Sequence, residues 1–218
     1  YCRFDNVESE QIDKPVTINV ELEKVGRDGE GGDLIIGGKE LDKDDAAAVN
    51  DNSTNKGNGI EVFNISVLGN EDLPSNLGKI TSTNSVLKTV NIASELRTDD
   101  SYASLTVRDS FGGTLDRLDA NSFKGDLTIG EDTDAVNINA FTATGGGDVT
   151  LYENIDGTEK SNFTVITGSG EDNLTVNVDG DAVDTVGTSF ALTSGEGADT
   201  VTVSMTNPHS QSTMTELD

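Results

Sequence analysis

The stretch GDVTLYENIDGTEKSNFTVITGSGEDNLTVNV, residues 147–178, decides the fold. Its apolar residues gather in three short runs, DVTLY (148–152), NFTVIT (162–167) and NLTVNV (173–178), rich in Val, Ile, Leu, Phe and Thr. Between them stand Gly, Asp, Asn and Ser, the residues that turn a chain tightly. The same alternation spreads outward to DLIIGG (33–38), GIEVFNISVL (59–68), SLTVRD (104–109), GDLTIG (125–130) and TVTVSM (200–205). Short β-type runs bounded by turn residues make many strands joined by tight corners, so the fold class is all-β.

Composition supports this reading and removes others. The 218 residues carry 14 Lys and Arg against 40 Asp and Glu, a net charge of −26, and only 33% are hydrophobic. Such a balance leans toward disorder, but a disordered acidic chain scatters its apolar residues, and this one clusters them. A surface this acidic repels phosphate backbones and anionic lipid headgroups, which excludes nucleic acid as a partner. Hard cations are its natural counter-charge. No run approaches the roughly 18 apolar residues of a membrane span, so a soluble chain without a transmembrane helix is expected.

From about Ser104 the strands recur at Leu105, Leu127, Val136, Val149, Val165, Leu174, Leu192 and Val201, at intervals of about 9 to 22 residues. Unequal turns between short inward-facing strands predict an irregular, β-roll-like parallel β-solenoid. A β-sandwich is the rival, but it favours longer alternation and an aromatic core, and here there are seven Phe, three Tyr and no Trp. The expected organisation is an acidic, strand-containing, assembly-related segment over 1–58, the solenoid over 59–205 and a polar tail over 206–218. The first segment holds strands at Pro15–Leu22 and Asp33–Ile36 and a helical turn at Leu41–Val49, and strands at Ile60–Leu68 and Leu87–Ile92 follow. In PVTINVEL, Val16, Ile18, Val20 and Leu22 share one face. That strand either pairs within its own chain or adds to a neighbouring subunit's edge, propagating head-to-tail contacts.

Several corners share one spacing. In TGSGEDNLT (167–175), Gly168 and Gly170 precede Asp172 and Leu174; in SGEGADTVT (194–202), Gly195 and Gly197 precede Asp199 and Val201. In DGEGGDLII (28–36) the set is Gly29, Gly31, Asp33 and Ile35. Weaker copies carry Gly130, Asp132, Asp134 and Val136, and Gly180, Asp184 and Val186. Alternating glycines let the backbone turn with carbonyls to one side, and the Asp adds a carboxylate to that ring of oxygens, which is the chemistry Ca²⁺ selects. The apolar residue two places on is expected to start the strand and bury itself in the coil. Carbonyls near Gly170 and Gly197 are expected to complete shells around Asp172 and Asp199.

This spacing resembles the calcium-binding nonapeptide of RTX proteins, G-G-x-G-x-D-x-U-x, with the first Gly missing. Asp172 and Asp199 lie 27 residues apart, against roughly 18 in a regular coil of two nonapeptides, and no copies stand in tandem. More broadly, Gly59–Ser204 is similar to bacterial surface-layer and giant RTX-type surface proteins. The resemblance implies an extracellular protein of the bacterial cell surface, with Ca²⁺ as cofactor, that forms homo-oligomers in a lattice or filament. An adhesive module contacting cell-surface glycan or matrix, or the calcium-folded tail of a secreted enzyme, is the alternative it leaves.

Catalysis finds no foothold in the sequence, and a non-enzyme is expected. The one histidine, His209, lies in the polar stretch TNPHSQSTMTELD. GGDLIIGGKE (31–40) lacks phosphate-loop spacing to Lys39, and Asp33 opposes phosphate. Acidic clusters at Asp42–Asp45 and Glu131–Asp134 suit calcium or simple solvation. The sequons at Asn52, Asn64, Asn162 and Asn173 are expected by chance in so Asn/Ser/Thr-rich a chain. Cys2 is alone, so no intrachain disulfide staples the fold; it reads as an incidental thiol, an interchain disulfide or a lipidation site. Lipidation fits poorly behind Tyr1.

Overall fold

The computed structural model describes residues 15–26, 31–36, 59–82, 85–96, 101–155, 162–179 and 189–206. The strands begin with β1 (Thr17–Glu23), β2 (Leu34–Ile36), β3 (Val62–Leu68), β4 (Ser75–Leu77) and β5 (Ile80–Ser82). Next come β6 (Thr89–Glu95), β7 (Leu105–Val107), β8 (Arg117–Ser122), β9 (Leu127–Ile129) and β10 (Ala140–Ala143). The last five are β11 (Val149–Ile155), β12 (Asn162–Thr167), β13 (Asn173–Asp179), β14 (Ser189–Thr193) and β15 (Thr200–Thr206). Among the described residues there is no α-helix, and none is long and apolar enough to cross a membrane.

The chain winds between two facing parallel sheets. One has seven strands in the order β1-β3-β6-β8-β10-β12-β14, the other six in the order β15-β13-β11-β9-β7-β4, and β2 and β5 form a short third pair. Each coil from β3 onward gives one strand to each main sheet, so neighbours in a sheet belong to successive coils. This is a parallel β-solenoid. The first strand, β1, pairs with β3 of its own chain over its whole length, from Thr17↔Val62 to Glu23↔Leu68.

Period-two alternation sends every second side chain inward, and stacking converts these into columns. In the seven-stranded sheet Ile18, Phe63, Val90, Leu118, Phe141, Val165 and Leu192 stand in register. In the facing sheet Leu77, Val107, Ile129, Leu151, Leu174 and Val201 do the same. All but the two end residues, Ile18 and Val201, are buried. Each fully buried Leu, Val or Phe contributes roughly 1.5–3 kcal/mol, so the modest apolar content suffices because it is spent almost wholly on these columns. Val136 is buried as well, but it makes only an isolated bridge to Glu153 at a corner and belongs to no strand. The proposed helical turn at Leu41–Val49 lies outside the described residues.

Candidate functional site

The corners that lead from the seven-stranded to the six-stranded sheet stack into one column. Four of them carry Gly125–Asp126, Gly147–Asp148, Gly170–Asp172 and Gly197–Asp199. A methyl group built on Gly197 would overlap the Gly170 carbonyl oxygen of the coil beneath, and one on Gly195 would overlap that of Gly168. Both residues also have positive φ, +147° at Gly197 and +82° at Gly195. Close stacking of backbone on backbone therefore demands glycine here, metal or no metal. The corners are tied by two backbone hydrogen bonds, from Glu196 N–H to the Gly168 carbonyl at 2.9 Å and from Gly170 N–H to the Glu196 carbonyl at 3.1 Å.

The aspartates bind the coils together through backbone amides. Asp148 N–H donates to Asp126 Oδ1 at 3.2 Å, and Glu171 N–H to Asp148 Oδ1 at 2.8 Å. Val149 N–H donates to Asp172 Oδ1 at 2.9 Å, and Asp172 N–H to Asp199 Oδ1 at 3.1 Å. The 27-residue interval between Asp172 and Asp199 is thus one coil, as the register Asn173↔Thr200 requires. The two stack directly, although the spacing departs from a regular nonapeptide coil.

Asp172 differs from the rest. Leu105, Leu127 and Val149 form an inward column, and the register carries that column on to Asp172 and Asp199. A carboxylate thus occupies a core position, and Asp172 is only 1% exposed. Among the described residues its Oδ2 is buried without a hydrogen-bond partner; the Thr167 hydroxyl beside it donates instead to the Ser194 carbonyl at 2.9 Å, so it favours the carboxylate by its proximity and not by a hydrogen bond. Burial pushes the Asp172 carboxyl above its ordinary range, the Thr167 hydroxyl and Val149 N–H oppose that, and the charges of Asp199 and Asp148 add to the rise. Among the described residues no Lys or Arg forms an ion pair with Asp148, Asp172 or Asp199. Nor do three or more His, Cys, Asp or Glu side chains already converge as a metal cluster among those residues.

The other sequence-selected residues lie elsewhere. Asp33 is exposed; its Oδ1 accepts Lys79 N–H at 3.2 Å and its Oδ2 lies 3.5 Å from Lys79 Nζ. Gly31 packs against the backbone of Asn76, and its carbonyl accepts from Arg108 Nη2 at 3.0 Å. Ile35, expected to be buried, is 44% exposed, because it shares the outer face of β2 with Asp33 while Ile36 turns inward. Asp132 and Asp134 are exposed in a turn closed by reciprocal backbone bonds between Glu131 and Asp134, away from the Asp172 column. Gly29 and Asp184 lie outside the described residues. Asp126 and Asp148 were not singled out by the spacing argument. The repeated Gly-Asp before GDLTI and GDVTL was the signal for them.

No protein-family model, curated protein or solved structure matches the chain.

Proposed function

We propose that the chain is a calcium-stabilised structural module of the bacterial cell surface, secreted and built to assemble with copies of itself into a layer or filament. The observation that carries this reading is Asp172, a core carboxylate with one oxygen unsatisfied among the described residues, whose charged form the charges of Asp199 and Asp148 disfavour further. An uncompensated buried charge is costly, and a hard divalent cation is the partner an all-oxygen donor set selects. Asp172, with Asp148, Asp199 and corner carbonyls drawn toward it, would hold the ion, which would supply the positive charge that no side chain among the described residues provides. Assembly is supported by the coil stack, in which the terminal strands of the two main sheets, β1, β14, β15 and β4, each have a sheet neighbour on one side only among the described residues.

Thermal melts followed by circular dichroism test the reading. At a calcium concentration about 100-fold above Kd, binding adds ~2.7 kcal/mol, a rise in Tm of about 5–10 °C over the melt in excess chelator. Asp172→Asn removes most of that gain and Asp33→Asn leaves it. Identical melts of the parent with calcium and with chelator defeat the calcium reading. Negative-stain microscopy in calcium checks assembly: sheets or fibres support it, and stable monomers oppose it.

A further inference from the structure

The outer face of the seven-stranded sheet carries a separate hollow of about 280 Å³, lined by Asn64, Ser66, Asn91, Ala93, Asp119 and Ser122, together with Ile65 and Ile92. Its origin is a register shift. Asn91 pairs with Asp119 but Ala93 pairs with Ser122, so β8 holds one residue more than β6 between those pairs. Such a bulge bends the strand and disrupts the ladder locally. Ala93 sits at the gap and is too small to fill it.

The same place interrupts a polar ladder. Asn91 Nδ2 donates to Asn64 Oδ1 at 2.8 Å, and Asn64 Nδ2 donates to Asn19 Oδ1 at 2.9 Å. The next residue in register is Asp119, an acceptor with no proton to give to Asn91 Oδ1. Asp119 is already committed, taking Asn121 N–H on Oδ1 at 3.1 Å and the Arg117 guanidinium on Oδ2. The hollow therefore presents one free amide carbonyl, and the Ser66 and Ser122 hydroxyls, which make no hydrogen bonds among the described residues. Most of the remaining lining is apolar, with Ala93, Ile65 and Ile92 among it, and the one carboxylate has its own cation.

A mostly apolar hollow with one amide carbonyl and two hydroxyls among its lining groups complements a ring that has apolar C–H edges and several hydroxyls, each able to donate and accept. The volume lies just below the lower end of ligand-sized clefts, about 300–1,000 Å³. A metal ion finds no unneutralised charge here, and the net charge of −26 disfavours acidic sugars. We propose that this hollow binds a neutral hexopyranose unit of a glycan, with ring hydroxyls on Asn91 Oδ1, Ser66 and Ser122 and an apolar ring edge on Ala93. This goes beyond the calcium reading and does not depend on it.

Saturation-transfer NMR on the full chain, in calcium, tests the proposal with the methyl hexopyranosides of glucose, galactose and mannose as probes and sialic acid as the charged counterpart. Transfer to at least one neutral hexoside is expected. Asn91→Ala should weaken it about tenfold, the upper range for one lost neutral hydrogen bond. Ala93→Leu should abolish it by filling the hollow, with an unchanged melt. Ser122→Val, at the opposite rim, serves if Ala93→Leu fails to fold. No transfer to any of the three hexosides, undiminished transfer in the filled variant, or equal transfer to sialic acid overturns the proposal.

Discussion

Asp33 and Asp172 hold the same position in the same nine-residue spacing, yet they end on opposite faces of their coils. Asp33 is exposed and paired with Lys79, and Ile35 points outward with it. Asp172 is buried, and Leu174 points inward with it at 0% exposure. Period two ties each aspartate to the apolar residue two places on, so a single choice of face decides the fate of both. That choice comes from pairing. The strand after Asp33 joins β5 in the short third sheet, from Leu34↔Ile80 to Ile36↔Ser82, whereas the strand after Asp172 enters the long sheet between β11 and β15. The spacing specifies a corner; the neighbouring coil specifies whether the carboxylate meets water and lysine or the core.

What the two corners share should break first. Both rely on glycine at the point of stacking: a methyl on Gly31 would overlap the Asn76 carbonyl oxygen, as one on Gly197 would overlap that of Gly170. Gly31→Ala and Gly197→Ala should each cost about 3 kcal/mol or more, or prevent folding, because backbone cannot yield as a flexible side chain can. Gly32→Ala, where an added methyl meets nothing within 4 Å, should stay within about 0.5 kcal/mol. Urea unfolding of the three variants measures this, and a Gly31→Ala variant as mild as Gly32→Ala would break the shared-corner account.

What the corners do not share should appear as pH dependence. The Asp172 carboxyl is raised from its ordinary 3.8, chiefly by burial. The folded chain therefore keeps a proton that the unfolded chain releases. Stability from this group is greatest below 3.8 and is lost as pH rises through the folded value. Without calcium, Asp172→Asn should be more stable than the parent at neutral pH, and the advantage should shrink on acidification through the carboxylate range. Asp33→Asn should show no such advantage. In calcium the sign at neutral pH should reverse for Asp172→Asn, because the exchange then removes a ligand. Urea midpoints at two pH values, with chelator and with calcium, sharpen the contrast; an Asp172→Asn variant less stable than the parent in chelator at neutral pH would remove it.

The sequence made the apolar-rich strands legible and hid the polar ones. PVTINVEL, GIEVFNISVL, NFTVIT and NLTVNV stand as β1, β3, β12 and β13 to within a few residues. RLDANS and AFTA, which form β8 and β10, carry only Leu118, Ala120, Phe141 and Ala143 inward, too weak a signal without their neighbours. Missing them merged two interleaved sheets into one series with irregular intervals. Restoring them gives coils of 23 to 28 residues from β3 to β14, as in Phe63↔Val90, Val90↔Leu118 and Leu118↔Phe141. At the corners the glycines and aspartates were legible as turn chemistry. Which face each aspartate took was not, because parity is set by register with a coil more than twenty residues away. Asn64 shows the same limit: a sequon in sequence, it is a rung of the asparagine ladder in the fold.

The smallest expected effect is at Lys79. Its Nζ lies 3.5 Å from Asp33 Oδ2, with the two side chains 41% and 37% exposed, so water screens much of the attraction. Such pairs are worth ~0–1 kcal/mol. Lys79→Met leaves the backbone N–H on Asp33 Oδ1 in place, and should cost no more than about 0.5 kcal/mol at low salt. The difference should vanish near about 1 M salt, where the Debye length falls to about 3 Å. Removing the lysine also separates two explanations of the contrast between the corners. If demand for a cation arises from burial, Asp33 remains satisfied by water in Lys79→Met and the variant shows the parent's response to calcium. If it arises from the lack of a nearby lysine, Lys79→Met acquires an additional calcium-dependent rise in Tm that Asp33→Asn then abolishes. The first outcome is expected, because an exposed carboxylate with one backbone hydrogen bond has already paid no desolvation cost for a metal to recover.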